Sequence, residues 1–227
     1  MSEVGPAGPW LRLVLAVSLD GRLAPPAGGA AQLGGRGDRR ALEEALAWAD
    51  AALLGAETLR RHGSTCLIHA PDLLAERVRQ GRHAQPPALV LSRSGQIPGD
   101  LPFWCQPLQR WWLTPAAPMP PTPPAACSGW HRQLGFSSWP QLRQALAAEG
   151  LQRLVLLGGA QLAGQLLAAA QVDELQLSLC PLLLGGPHSW LPASQSLPPG
   201  QWQLLEQRSL GDDELLLRYC RRPLPGD

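Results

Sequence analysis

The sequence predicts an α/β protein with a mostly parallel sheet, helices on both faces and an antiparallel hairpin at its C-terminal end. Apolar runs of strand length alternate with helical segments through most of the 227 residues, a pattern typical of successive strand–helix–strand units. The last two apolar runs are joined by the short polar segment 210–213, which predicts a hairpin. Because no internal repeat or domain boundary is visible, we predict a single domain over residues 1–227, with its core at about 11–221.

The individual elements follow from hydrophobic periodicity and from the residues that begin helices. Apolar runs predict strands at 11–17, 50–55, 88–91, 110–113, 153–157, 172–180, 202–209 and 214–221. Helices are predicted at 38–48, 57–61, 71–79, 138–148 and 159–169, with Asp38 and Ser138 as N-terminal caps. The proline-rich segment 115–124 predicts a rigid surface loop rather than a ligand for a proline-binding module.

The charge balance and the absence of lysine exclude several classes of protein. The chain has 19 basic and 18 acidic residues without a basic arm, so nucleic acid is not expected as a main partner. It contains no Lys, which excludes Schiff-base catalysis by lysine, a pyridoxal-phosphate enzyme and an ordinary Walker A loop. Any bound anion must therefore be held by Arg, hydroxyl groups and backbone N–H groups.

Cysteine spacing and the N-terminal residues predict a cytoplasmic protein. The 5 cysteines are dispersed without C-x-x-C spacing, which favours reduced thiols over a disulfide framework or a zinc site. Residues 1–10 lack the basic and apolar regions of a signal peptide. No apolar run approaches the roughly 20 residues of a membrane span. We therefore expect no bound metal and no membrane contact.

Four short segments carry residue types that suit a nucleotide site. An apolar strand turns through Gly158-Gly159 into a helix, where glycine lets a phosphate approach and helical N–H groups bind it. Ser92-Arg93-Ser94-Gly95 follows another strand and offers hydroxyls and an Arg to a phosphate. The other two are Gly55-Ala56-Glu57-Thr58 and Ser18-Leu19-Asp20-Gly21-Arg22. Each has a structural alternative, because glycine also serves tight packing, loop arginines are often solvated, and Asp-Gly forms turns. The full G-x-G-x-x-G pattern is absent, so a Rossmann domain is not supported.

The order of these segments resembles the reductase domain of riboflavin biosynthesis, a relative of dihydrofolate reductase. That family has SLDG(K/R) after a strand, then D-A-hydrophobic-G-x-x-T, a strand ending in S-R, hydrophobic-G-G-x-x-L, V-D-E-L and P-hydrophobic-L-G-G. The resemblance covers residues 11–221 and implies a dihydrofolate-reductase-like fold. The matching positions are Ser18–Arg22, Asp50-Ala51 with Gly55 and Thr58, Ser92-Arg93, Gly158-Gly159 with Leu162, Val172-Asp173-Glu174-Leu175, and the Pro181–Gly186 segment.

The resemblance implies an NADPH-dependent reductase, commonly a homodimer. Hydride would pass from NADPH to the ribosyl C1′ of a phosphorylated pyrimidine, 5-amino-6-(5-phosphoribosylamino)uracil. On this basis Asp20 is assigned to the catalytic centre, and Ser18, Arg61 and His62 are assigned to the substrate. The cofactor would lie along Thr58, with its adenosine 2′-phosphate at Ser92 and Arg93. Its pyrophosphate would lie on the five residues Gly158, Gly159, Ala160, Gln161 and Leu162.

The substrate side departs from the family pattern. After G-x-x-T the family has D-x-P and soon an Arg, whereas this chain has His62-Gly63-Ser64 and then His69. Leu46 stands where the family often has an Arg, and Leu157 where it often has a Glu. The charges that would hold a phosphorylated substrate are therefore largely lost.

This loss leaves three functions open. Activity on the riboflavin-pathway substrate is expected to be weak or absent unless Arg60, Arg61 or His62 replaces the missing charge. The first alternative is a paralogue that reduces another pterin- or pyrimidine-like compound. The second is a non-catalytic nucleotide-binding relative that keeps the cofactor pocket.

Overall fold

The computed structural model describes residues 8–29, 33–115, 129–191 and 196–222. They form two compact units. Unit 1 comprises the residues up to Trp10 together with Leu46–Val155, and unit 2 comprises Leu11–Ala45 together with the residues from Leu156 onward. In chain order the elements are β1 (Trp10–Ser18), α1 (Arg36–Trp48), β2 (Ala51–Gly55), α2 (Ala56–His62), α3 (Pro71–Arg79), β3 (Ala88–Leu91), β4 (Arg110–Thr114), β5 (Arg132–Gly135), α4 (Trp139–Ala148), β6 (Arg153–Leu156), α5 (Ala160–Ala168), β7 (Glu174–Cys180), β8 (Gln201–Gly211) and β9 (Glu214–Arg222).

Unit 1 is built on parallel strands in the order β5-β4-β3-β2-β6. The pairs β2–β3, β3–β4 and β4–β5 are all parallel. Their core includes Leu89, Phe103 and Trp112, which are almost completely buried. The register places Gly55 opposite Leu91, so the segments that follow β2 and β3 begin at the same edge of this unit.

Unit 2 combines one parallel pair with two antiparallel pairs, in the order β1-β7-β9-β8. β1 runs parallel to β7 with Ser18 opposite Cys180, and β9 runs antiparallel to both β7 and β8. Asp212 and Asp213 turn the chain between β8 and β9 with φ of 51° and 60°. Left-handed conformation at both turn residues matches the twist of the flanking strands. α1 lies against β7, where the Gln176 side chain donates to the Ala41 carbonyl at 3.2 Å.

The predicted fold class is confirmed, since parallel pairing predominates and the antiparallel pairs involve the C-terminal strands. The predicted helix 71–79 coincides with α3. Ser138 caps α4 as predicted, because its hydroxyl accepts a hydrogen bond from the Gln141 N–H at 3.4 Å.

One local expectation was wrong, and one strand was missed. Asp38 does not cap α1, because the helix begins at Arg36 and Asp38 is its third residue. β5 was not predicted, because its four residues Arg-Gln-Leu-Gly are half-buried or exposed and form no apolar run. Of the predicted proline-rich loop, residues 116–124 lie outside the described residues.

Candidate functional site

The turn after β1 is organised by the carboxylate of Asp20. Its Oδ1 accepts hydrogen bonds from the Ser18 hydroxyl at 2.5 Å and the Leu184 N–H at 3.1 Å, and its Oδ2 accepts from the Gly185 N–H at 2.7 Å. The bond from Ser18 first, and then the N–H of Leu184, lower the pKa of Asp20 to about 2. Asp20 is therefore a carboxylate at neutral pH, and it can accept hydrogen bonds but cannot serve as a proton donor.

Ser18 is buried and already engaged. Its hydroxyl donates to Asp20 and accepts from the Arg22 N–H at 2.9 Å. The neighbouring Leu19 N–H donates to the Leu182 carbonyl at 2.9 Å. These bonds connect the end of β1 to the turn that follows β7, so Asp20 and Ser18 fix the position of the Pro181–Gly186 turn.

The Gly158-Gly159 turn has the backbone geometry that glycine permits and an uncapped helix behind it. The two φ angles are +77° and +41°, and a Cβ atom on Gly158 would lie 3.2 Å from Leu15 Cδ2. No side chain caps α5 at Gly159, and the first bond in the helix runs from the Ala163 N–H to the Gly159 carbonyl at 3.0 Å.

The N–H groups of residues 160–162 precede that first bond. Such N–H groups have no partner inside their helix and point along its positive end, which suits a bound phosphate. The Leu162 side chain is 7 % exposed and belongs to the core. Its contribution to a ligand is therefore limited to its backbone.

In unit 1 the structure brings Thr58, Ser92 and Arg93 to one edge. Thr58 is the third residue of α2, which follows β2 directly, while Ser92 follows β3, the parallel neighbour of β2. The Arg60 guanidinium donates to the Gln96 carbonyl at 2.7 Å and so ties α2 to the segment after β3. Thr58 is half-buried, whereas Arg93 is exposed.

The Ser92 hydroxyl has a structural partner. Its oxygen accepts the Gly95 N–H at 3.1 Å, and the Ser92 carbonyl accepts the Trp112 indole N–H at 2.7 Å. A Cβ atom on Gly95 would lie only 2.8 Å from the Trp112 ring. Ser92 therefore shapes a tight turn over Trp112, and its hydroxyl proton keeps the capacity to donate.

Arg61 and His62 are exposed and lie at the C-terminal end of α2. Together with Thr58 they are spaced i, i+3 and i+4, so the three residues share one face of the helix. Arg60 differs from them because it is engaged with Glu57 and with the Gln96 carbonyl. Of the three predicted replacement charges, Arg61 and His62 are thus better placed than Arg60.

Unit 2 also contains an acidic cluster that was not predicted from the sequence. Asp38 on α1 accepts a hydrogen bond from the Ser178 side chain on β7. Glu214, the first residue of β9, is 5 % exposed, and its Oε1 accepts the Gly35 N–H at 2.6 Å. Its Oε2 is buried without a hydrogen-bond partner among the described residues. Burial first, and then the negative charges of Glu214 and Asp38, raise the pKa of the neighbouring Cys180 thiol to about 11.

Within the described ranges, no three His, Cys, Asp or Glu side chains converge as a metal site would require. Among the helices of the described residues, none has the length and apolar character needed to cross a bilayer.

The comparison with family models decides where the chain belongs. Residues 9–216 match the model described as the RibD C-terminal domain. This chain belongs to the RibD C-terminal domain family. The predicted family resemblance is thereby confirmed over nearly the whole chain. No curated protein sequence matches it significantly.

Solved structures support the fold of this RibD C-terminal domain. A pyrimidine reductase-like protein from Corynebacterium diphtheriae is 21% identical, with a TM-score of 0.72 over 95% of this chain and 92% of that chain. Acinetobacter baumannii RibD is 21% identical, with a TM-score of 0.78 over 96% of this chain. This chain spans 59% of that RibD. Dihydrofolate reductase from Enterococcus faecalis, complexed with NADP(H), is 14% identical, with a TM-score of 0.52 over 94% of this chain and 97% of that chain. The dihydrofolate-reductase-like fold is therefore confirmed.

Proposed function

We propose that this RibD C-terminal domain is a cytoplasmic, NADPH-dependent reductase that acts on 5-amino-6-(5-phosphoribosylamino)uracil. The observation that carries the proposal is the positive-φ Gly158-Gly159 turn, which opens the uncapped α5 in a chain of this family. Backbone donors at a helix N-terminus, approached through glycine, are what a dinucleotide pyrophosphate requires.

Each unit offers residue types that suit a part of NADPH. The segment Gly158–Leu162 would hold the pyrophosphate through its backbone, and Thr58 would line the cofactor. Arg93, exposed at the end of β3, would pair with the 2′-phosphate, assisted by the Ser92 hydroxyl. When bound, NADPH supplies the hydride, and the protein supplies orientation and electrostatics.

On the substrate side, Asp20 is proposed to orient polar groups of the ribose. Its ionised carboxylate, held by Ser18 and by the Leu184 and Gly185 N–H groups, is a fixed acceptor that needs no reorganisation during the reaction. Arg61 and His62 are proposed to bind the substrate phosphate, since they are exposed on the same helix face as Thr58.

The candidate paralogue function is favoured by one observation. Leu46, which stands where the family often has an Arg, is fully buried at 0% exposure. A core leucine cannot contact a phosphate, so this position does not serve the riboflavin-pathway substrate as an Arg would. A substrate that depends less on this phosphate contact, another pterin- or pyrimidine-like compound, is the second candidate.

A homodimer is proposed from the edge strand β8. Most of its residues are exposed, and the neighbouring Leu204 and Leu205 are 46% and 48% exposed. An edge strand with unpaired backbone groups and apolar side chains is a ready surface for a second chain. Analytical ultracentrifugation, with Leu204→Glu as the disrupting variant, tests this assembly.

The first step of the proposed function is NADPH binding. It is tested by the quenching of intrinsic fluorescence, for which the chain has 9 Trp residues. Gly159→Val places a branched side chain at φ +41°, so we expect NADPH affinity to fall about tenfold or more, the loss of one or two charge-assisted bonds. The matched control is Gly99→Val, because Gly99 is exposed and a Cβ atom there meets nothing within 4 Å. Circular dichroism checks that both variants are folded.

Equal NADPH affinity in the two variants would reject the pyrophosphate assignment. Absence of NADPH binding by the wild type would reject the reductase itself. Turnover of the phosphoribosylamino-pyrimidine, compared with unrelated pterins, carbonyl compounds and imines, then separates the first substrate from the second.

A further inference from the structure

Reduction at C1′ consumes a proton, so the proposed reaction needs a proton donor near the ribose. In the proposed reaction, C1′ gains hydride from the reduced nicotinamide, the C1′–O4′ bond breaks with its electron pair going to oxygen, and O4′ takes up a proton to become a hydroxyl group. Asp20 cannot supply this proton, because its hydrogen bonds keep it ionised. The proton must therefore come from a group other than Asp20.

We propose that Asp38 is this proton donor, held by a hydrogen bond from the Ser178 side chain and close to the buried carboxyl group of Glu214. The proposal rests on the proposed reductase function and assigns a residue that the family pattern did not indicate.

The position of Asp38 suits contact with a substrate. Its carboxyl group accepts a hydrogen bond from the Ser178 side chain, and Ser178 lies two residues before the end of β7. The last residue of β7 pairs with the last residue of β1. In open α/β sheets, ligands bind outside the carboxyl ends of the parallel strands. Asp38 is half-buried, whereas Glu214 is 5% exposed. The segment before α1 packs against the Asp38 carboxyl group, since a Cβ atom on Gly34 would clash with its Oδ2.

The nearby carboxyl group of Glu214 favours retention of a proton in this acidic cluster. Glu214 Oε1 accepts the Gly35 N–H at 2.6 Å, while its Oε2 is buried without a partner among the described residues. Two neighbouring carboxylates that both ionise repel each other, so one of them keeps its proton more readily. The negative charge of Glu214 therefore favours the protonated form of Asp38.

The surroundings of Asp38 raise its pKa on balance. Burial first, and then the negative charge of Glu214, raise the pKa of Asp38, against the opposing effects of the Ser178 bond and the Arg39 charge. Asp212 lies beside the same segment, since its Oδ2 is 3.5 Å from where a Gly35 Cβ would stand. Cys180 remains a neutral thiol there, with its pKa raised to about 11. Asp20 and Asp38 thus have opposite shifts, the arrangement by which two carboxyl groups take different roles in one reaction.

The test is the pH dependence of kcat for NADPH oxidation with the phosphoribosylamino-pyrimidine, between about pH 4 and 9. Wild-type kcat should fall as the pH rises through the pKa of Asp38, since only the protonated form donates. Asp38→Asn should lower kcat by about 100-fold or more and abolish this pH dependence, with little change in NADPH affinity.

Substitution of Glu214 and of Ser178 should move the pH at which kcat falls in opposite directions. Glu214→Gln removes a negative charge that raises the pKa of Asp38, so the fall in kcat should move to lower pH. Ser178→Ala removes a bond that lowers this pKa, so the fall should move to higher pH. Asp213→Asn, at an exposed hairpin position whose left-handed backbone Asn tolerates, is the matched control and should leave the profile unchanged.

A carboxyl ¹³C NMR titration of the protein without ligands supplies a readout besides activity. The Asp38 resonance, assigned by its absence in Asp38→Asn, should titrate above the ordinary value of 3.8 and move in the same two directions in the neighbour variants. Wild-type turnover in Asp38→Asn, or an unmoved profile in both neighbour variants, overturns the proton-donor assignment alone. A wild type that oxidises no NADPH overturns the proposed function, and this assignment with it.

Discussion

Units 1 and 2 differ in the charged groups that they bury. In unit 1 the buried charges are arginines that donate to carbonyl groups. Arg77 is 1% exposed and donates to the Leu46, Ala47 and Ala49 carbonyls at 3.1, 3.0 and 2.6 Å. In unit 2 carboxylates are buried as well, since Glu174 pairs with the buried Arg12 at 3.0 Å and Glu214 accepts the Gly35 N–H. Asp20, which is partly exposed, also accepts N–H and O–H groups.

Arg77 has a structural role, whereas Asp20 and Glu214 are assigned to the proposed reaction. The carbonyls that Arg77 binds belong to the end of α1 and the residue after it, so its guanidinium caps the C-terminal end of that helix. Burial lowers the pKa of Arg77 to about 10, which still leaves it protonated at neutral pH. Asp20 and Glu214 of unit 2 instead lie close to the carboxyl ends of β1 and β7, where a ligand would bind.

The largest effect on stability is expected at Arg77 of unit 1. Arg77→Met should lower the free energy of unfolding by about 3–5 kcal/mol, because four carbonyl contacts, including that of Nε with His83 O at 2.9 Å, are lost in the core. Urea denaturation measures the loss. Arg79→Met, at an exposed position on the same helix, is the control and should cost less than about 1 kcal/mol. A small loss at Arg77 would mean that its carbonyls find other partners.

The next largest effect should come from unit 2 and should fall on activity. Asp20→Ala frees the Pro181–Gly186 turn from the Leu184 and Gly185 N–H contacts, and misplacement near a reacting group costs about 100-fold in kcat/KM. Because three hydrogen bonds to the carboxylate are lost as well, kcat/KM is compared at a temperature at which circular dichroism shows that the variant is folded. Asp100→Ala, at an exposed acid of unit 1, is the control. An Asp20→Ala protein with unchanged kcat/KM would contradict the role of this turn.

Arg93 sharpens the comparison, since it is an arginine of unit 1 that is exposed and assigned to a ligand. A charged hydrogen bond to the 2′-phosphate contributes about 1.5–3 kcal/mol, or roughly 10- to 150-fold in affinity. Arg93→Ala should weaken NADPH binding by such a factor and leave NADH binding nearly unchanged. Equal losses for NADPH and NADH, measured by fluorescence titration, would place Arg93 outside the phosphate site.

The smallest effect is expected at the proposed phosphate clamp of α2. Arg61 and His62 are exposed, and solvent screens such charges to about 1 kcal/mol, or about fivefold. Arg61→Ala and His62→Ala should therefore raise the KM for the phosphorylated pyrimidine about fivefold and leave NADPH affinity unchanged. Arg79→Ala serves as the distant control. Unchanged KM in both variants would reject the clamp and favour the substrate of the paralogue.

Local sequence patterns predicted much of the fold and the backbone part of the site. The helix 71–79, the Ser138 cap, the C-terminal hairpin and the Gly158-Gly159 turn all depend on residues close together in the chain. β5 could not be predicted, because pairing with β4 rather than its own composition makes it a strand. The single-domain, homodimer and cytoplasmic predictions, and the roles of the site residues, stay predictions.

The acidic cluster of Asp38 and Glu214 could not be predicted from the sequence. Asp38 and Glu214 are brought together by α1, β7 and β9, and nothing local to either residue indicates the other. One weak signal was present, because Asp38, Ala41 and Ala45 follow the spacing of one helix face, and both alanines are 1% exposed. An acidic residue on the buried face of a helix indicates a partner elsewhere in the fold. This signal was missed because Asp38 was interpreted as a helix cap.

The most direct test of the central claim follows the hydride itself. NADPH deuterated at C4 of the nicotinamide, on one face and then on the other, is incubated with the protein and 5-amino-6-(5-phosphoribosylamino)uracil, and the product is analysed by mass spectrometry and NMR. A reductase of the proposed kind transfers deuterium from one of the two labelled cofactors to C1′ of the new ribityl chain. A protein that binds NADPH but yields no labelled product from either cofactor would contradict the claim.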